Sequence, residues 1–179
     1  PNPWQAPTQS TEVQFAYDDA HIYVFARMYD SAPDSILKQI SGRDRMDNTD
    51  EFGFWISTYN DGNNAFNFST NPEGVQVDRM VSPGFSDPSW NAAWRVETTI
   101  NDKGWTAEFK IPFSQIRFSK MDANVDQIWG INFWRGIRRC RETDYWHPVD
   151  PARDGFEIND SGELHGLKGI TPPPRITLY

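Results

Sequence analysis

At 179 residues the chain is sized for one domain of roughly 150 residues with a short tail, long enough to bury a core without disulfides or a metal. Its single cysteine, Cys140, excludes an internal disulfide framework and a multi-cysteine zinc site. Seventeen Lys and Arg against 25 Asp and Glu leave a net charge of −8, and no basic run exceeds Arg138-Arg139, which argues against a nucleic-acid or anionic-membrane surface.

Eight Trp, 6 Tyr and 12 Phe are punctuated by 12 Gly and 13 Pro. Aromatic residues suit a pleated, half-buried surface, and Gly/Pro clusters end strands, so the composition already points to an all-β chain. The chain opens on Pro1, as a processed product or a piece of something longer would, and carries no signal-peptide pattern. No apolar run approaches the roughly 18–20 residues of a membrane helix.

Period-2 alternation starts at residues 22–28, where Ile22, Val24, Ala26 and Met28 share one face and Tyr23, Phe25 and Arg27 the other. A single helical turn or two fits within 33–40. Strands are predicted near 51–59 and 64–70, with Asn60-Asp61-Gly62-Asn63 turning between them. Asn71-Pro72-Glu73-Gly74 then turns into a strand beginning at Val75. Residues 94–111 read as a hairpin: Trp94-Val96-Thr98-Ile100 and Trp105-Ala107-Phe109-Ile111 flank the turn Asn101-Asp102-Lys103-Gly104. Pro112 to Ile116 suggests one helical turn with Pro at its first position. The last long strand is expected over 128–138, followed by irregular chain over 144–161 and a Pro172-Pro173-Pro174 connector. Trp94, Val96, Trp105, Phe109, Phe52, Phe54, Ile131 and Phe133 are the expected core.

Chemistry-bearing patterns are sparse. Three histidines, His21, His147 and His165, accompany no Gly-x-Ser-x-Gly elbow and no recognisable thiol-enzyme signature, so structural roles are preferred. Asp44, Asp47, Asp50, Glu51, Asp78 and Glu108 supply carboxylates, but a glycosidase needs two facing each other about 5–10 Å apart, which strand spacing does not establish. Residues 43–51 concentrate hard oxygen ligands suited to calcium, without EF-hand spacing and with no individual ligand singled out; no cofactor is required. Arg135, Arg138, Arg139 and Arg141 beside Trp134 read as partners of strand carboxylates rather than as a base-stacking surface. Trp90 and Trp146 lie in loop-like segments. An aromatic on a loop of a rigid sandwich either stacks a flat ligand such as a pyranose or covers the open end of the core.

Several ordered segments resemble the family 9-like carbohydrate-binding modules. They include Tyr17-Asp18-Asp19, Asn48-Thr49-Asp50-Glu51-Phe52-Gly53-Phe54, Asn71-Pro72-Glu73-Gly74, Trp90-Asn91-Ala92-Ala93-Trp94, Gly104-Trp105-Thr106-Ala107-Glu108-Phe109 and Trp129-Gly130-Ile131-Asn132-Phe133-Trp134-Arg135. In one bacterial group such modules precede an outer-membrane β-barrel domain of unknown function. The resemblance implies a two-sheet antiparallel β-sandwich, jelly-roll type and immunoglobulin-like in outline, with very little helix. It places the sandwich at 1–170 and a connector at 171–179 leading to a barrel, in a Gram-negative cell envelope. Family members open with a further strand ahead of this start, and they clamp a pyranose between two tryptophans. At the first clamp position this chain has Arg45-Met46, and the second corresponds to Trp146. The expected function is non-catalytic glycan recognition in polysaccharide utilisation, with Trp90, Trp146 and Arg43 as contacts. The alternatives are a structural domain capping the barrel and, further off, part of a glycoside hydrolase.

Overall fold

A computed structural model describes residues 5–150 and 158–172. Eleven strands run in order: β1 (Thr11–Tyr17), β2 (His21–Tyr29), β3 (Glu51–Ser57), β4 (Ala65–Thr70), β5 (Gln76–Ser82), β6 (Phe85–Asp87), β7 (Arg95–Asn101), β8 (Gly104–Pro112), β9 (Gln127–Ile137), β10 (Glu142–Tyr145) and β11 (Gly162–Leu167). A four-stranded sheet has the order β1-β2-β8-β7, and a seven-stranded sheet the order β10-β9-β3-β4-β5-β6. β10 pairs with the C-terminal end of β9 and β11 with its N-terminal end, on the edge opposite β3. Every pairing is antiparallel, so the expected all-β sandwich is present. The helical residues described are three single 3₁₀ turns, at Pro33–Ser35, Phe113–Gln115 and Arg138–Cys140.

The alternation read from the sequence decides which face each strand buries. In β2, Ile22, Val24, Ala26 and Met28 are buried while Tyr23, Phe25, Arg27 and Tyr29 turn outward. Inward rings from both sheets interlock: Phe54 packs edge-on to Phe109 at 5.1 Å, and Trp94 lies parallel to Phe109 at 5.6 Å. Offset and edge-to-face geometries of this kind add about 0.5–1.5 kcal/mol per pair beyond area burial. All eight expected core residues belong to this cluster, with Val96 and Phe133 at its half-buried margin.

Some boundaries differ from the sequence expectation. The 94–111 hairpin forms from Arg95, with β8 running through Pro112. Pro112 caps the 3₁₀ turn rather than opening it, because its extended φ and ψ keep it in the strand. Asp144 and Tyr145, expected to be irregular, belong to β10, a four-residue edge strand too short to show a period. β1, β6 and β11 carried no separate signal; β11 holds Gly162 and Gly166 and shifts register along its length. Residues 173–179 of the expected connector lie outside the described residues.

One inward charge lies on β5. Asp78 pairs across from Phe68 and so points between the sheets, fully buried. It accepts from the Ala92 N–H at 2.6 Å, from Trp94 Nε1 at 3.2 Å and from the Arg43 guanidinium. A buried charge persists only when paired and hydrogen-bonded in this way.

Candidate groove on the outer face of the larger sheet

Register places Glu51, Gly53 and Trp55 of β3, Asn67 and Ser69 of β4, Val77 and Arg79 of β5, Asn132, Trp134 and Gly136 of β9 and Tyr145 of β10 on the outer face of the seven-stranded sheet. One part of that face is covered. Trp55, Ala65 and Ile158 form a small second core with Trp134 and Val149 packed on it. The part that remains is a groove of about 300 Å³, walled by Asp44 and Met46 on one side and by Trp134 and Tyr145 on another. Asn67, Ser69, Val77, Arg79 and Val81 form its floor, with Glu51 and Ser86 completing the lining.

Glycine sets the aromatic wall. A Cβ at Gly53 would sit 2.3 Å from Trp134 Cζ2 and 2.6 Å from Ser69 Cβ, so the indole lies directly over the bare backbone of β3. Trp55 supports it from the side, with ring centroids 5.8 Å apart and planes 30° apart.

The polar floor is open to solvent and so to a ligand. Asn67 and Ser69 are 6% and 4% exposed, with the half-buried Arg79 beside them; none of the three side chains has a hydrogen-bond or ion-pair partner among the described residues, and the polar atoms of Asn67 and Ser69 are not sealed from solvent. Donors and acceptors that reach the groove without a protein partner are free to bind a polar ligand. The acidic groups beside them are engaged. Glu51 sits 3.3 Å from Arg138, and Asp44 Oδ1 accepts the Asp78 N–H at 3.3 Å. Burial pushes the Glu51 carboxyl above its ordinary range despite Arg138, and burial together with the Glu51 charge raises the Tyr145 phenol.

The sequence-based contacts lie elsewhere. Trp90 packs on Phe66 at 5.2 Å and Phe68 at 5.8 Å, covering the margin of the inter-sheet core. Arg43 donates to Gln76 Oε1, the Ala92 carbonyl and Asp78, locking the Asp78 carboxylate in place. Trp146 follows Tyr145 and therefore points to the opposite face of the sheet. Its ring lies over Gly162, packs on Phe133 at 5.7 Å and stays 58% exposed. None of the three lines the groove, whereas Met46, Trp134 and Tyr145 do. Arg138 pairs with Glu51 of β3, the strand-carboxylate role expected of it, and Arg139 pairs with Asp30, one residue beyond the end of β2. Among the described residues no group of three or more His, Cys, Asp or Glu side chains converges to hold a metal, and the carboxylates of residues 43–51 are partly engaged with backbone N–H groups.

Beside the groove, Asp144 faces inward opposite Arg135. Its carboxyl is pushed up to about 6, first by burial and then by the neighbouring Glu142 charge, with Arg135 opposing. The folded state thus holds this proton more tightly than the unfolded chain does. Stability from this group rises as pH falls from about 6 towards 4, and the ionised form costs stability above that window. Asp144→Asn is expected to raise Tm by about 2–4 °C at pH 7.5, the equivalent of about 1 kcal/mol after discounting for partial exposure, and to have no effect at pH 4. Thermal melts at the two pH values check this, and an equal gain at both would contradict it.

A Bacteroides uniformis protein described as carbohydrate-binding by inference superposes with a TM-score of 0.67 at 14% identity, over 88% of this chain and 78% of the other. A family 9 carbohydrate-binding module from Caldicellulosiruptor kristjanssonii, solved with glucose, gives 0.60 at 13% identity over 97% and 83%. The same organism's family 9 module solved with cellotriose gives 0.63 at 15% over 98% and 84%. The chain has the fold of the family 9 carbohydrate-binding modules. No protein-family profile matches the sequence, and no curated protein matches it. The family 9 fold here presents one aromatic wall, Trp134 with Tyr145, facing Met46.

Proposed function

We propose that this domain binds carbohydrate without catalysis, in the groove over β3, β4 and β5. The carrying observation is the set of groove-facing polar side chains without a protein partner among the described residues, Asn67, Ser69 and the half-buried Arg79, beside an indole fixed over Gly53. A sugar ring offers one apolar face for Trp134 and a rim of hydroxyls that give and take hydrogen bonds. Arg79 donates to ring or hydroxyl oxygens, Asn67 does both, and Glu51 and Asp44 accept at the margin. The volume admits one sugar ring with part of a second, so the groove reads a chain end or a short branch. The glucose and cellotriose complexes of family 9 modules with this fold support the reading.

Calorimetric titration with mono- and oligosaccharides tests it. Arg79→Ala is expected to weaken binding by about tenfold to a hundredfold, the usual loss of a hydrogen bond to a charged donor. A flat response to every sugar would overturn the reading and leave a structural role. Bond cleavage abolished by Glu51→Gln would replace it with a hydrolase. The sequence resemblance supports an envelope location with a β-barrel in the same polypeptide, which fractionation of the full-length product tests.

A further inference from the structure

A second, roomier cavity lies on the other face of β10. It occupies about 850 Å³ where the two sheets part, between edge strand β1 and the β10–β11 edge. Val13, Phe15, Phe52, Ile131, Phe133 and Leu164 line it from within the sandwich, and Trp146 closes one side. Val13, Phe15, Phe133 and Leu164 point inward yet remain only partly buried, so the core is open laterally. A polar end exists too. Among the described residues Arg135 Nε and Asp144 Oδ2 are buried without a hydrogen-bond partner, and both residues line the cavity.

This cavity is continuous with the groove in its lining. Trp134 and Tyr145 belong to both, and only the four residues of β10 stand between them. A polar groove therefore adjoins an apolar cavity across a single short edge strand. Sugar hydroxyls fit the first, whereas along the Val13, Phe15, Phe133 and Leu164 stretch of the second apolar atoms replace water more favourably. We propose that the site takes an amphiphilic glycoconjugate, with the sugar in the groove and an apolar aglycone, an acyl or aryl group, passing over Tyr145 into the lateral cavity. The proposal rests on the carbohydrate reading for its sugar half alone.

Matched pairs of methyl and octyl glycosides of glucose, galactose, mannose and xylose, titrated below micelle formation, test it. For whichever sugar binds, the octyl glycoside is expected to bind at least tenfold more tightly, because several methylenes leave water. Val13→Gln and, independently, Leu164→Ala are expected to remove most of that gain while leaving methyl glycoside affinity unchanged, which also reports an intact fold. Equal affinities within each pair, or a gain that survives both substitutions, would overturn the proposal. Val13-dependent octyl binding with no methyl glycoside bound would keep the cavity and discard the sugar groove. No binding of either member would discard both.

Discussion

Gly53→Val should abolish carbohydrate binding, with an affinity loss above about thirtyfold, although residue 53 offers no side chain to a ligand. The first added carbon would fall 2.3 Å and 2.5 Å from two atoms of the Trp134 ring and 2.6 Å from Ser69 Cβ. Neither neighbour can yield in place. Ser69 is held in the β3–β4 pairing, and the indole is braced by Trp55. The ring must swing away from β3, and the wall that defines the groove goes with it. Overpacking of this kind costs about 1–3 kcal/mol, so the variant stays folded within the 5–15 kcal/mol typical of a domain. Trp134→Ala should lose binding to a similar degree by removing the wall itself, since buried tryptophans commonly dominate recognition energies. Combining Gly53→Ala with Trp134→Ala relieves the clash with the ring, so the pair should be more stable than the sum of the single losses implies and still fail to bind. Calorimetry and denaturant melts on Gly53→Val, Gly53→Ala, Trp134→Ala and the double variant check this. Normal affinity in Gly53→Val would show that the ligand does not use the Trp134 wall.

The fold was legible because every long strand carries its own alternation. The hydrophobic effect needs one face of each strand buried, and that requirement writes the Ile22-Val24-Ala26-Met28 and Trp105-Ala107-Phe109-Ile111 patterns directly into the chain. The groove was not legible for the same reason in reverse. Its residues occupy the outward positions of the other sheet's strands, where Asn67 and Ser69 of β4 and Arg79 of β5 look like ordinary outward polar residues. Only cross-strand register brings them beside Trp134. Loop tryptophans attracted attention, yet Trp90 closes a core margin and Trp146 falls one residue out of phase with the outer face. The available signal was Gly53 within Glu51-Phe52-Gly53-Phe54-Trp55: glycine inside a strand marks close approach by another group. Finding that the group is Trp134 required knowing that β9 pairs with β3. Asp78 was visible as a carboxylate, but its inward direction depends on its pairing with Phe68.

Arg135→Ala should cost about 3–5 kcal/mol, as much as truncating a buried core aromatic, the usual result of removing one partner from a buried ion pair. Arg135 belongs to β9 but faces inward beside the core and is 2% exposed. Its guanidinium reaches across to the other sheet, donating to the Ser10 carbonyl at 3.1 Å, Thr11 Oγ1 at 3.3 Å and the Tyr29 carbonyl at 2.8 Å. It also stands 3.8 Å from the buried Asp30 carboxylate. One side chain thus ties the start of β1 and the end of β2 to the larger sheet, and alanine leaves those carbonyls and part of the Asp30 charge uncompensated. Arg139 grips Asp30 with two bonds of 2.7 Å, but it comes from the 3₁₀ turn at the rim and is more exposed, so Arg139→Ala should cost less. At about 2–4 °C per kcal/mol for a chain of this length, Arg135→Ala should lower Tm by about 6–20 °C. The contrast between the two arginines is the test. If Arg139→Ala destabilised as much as Arg135→Ala, charge compensation of Asp30 would explain the whole effect and the bridge between the sheets would carry none of it.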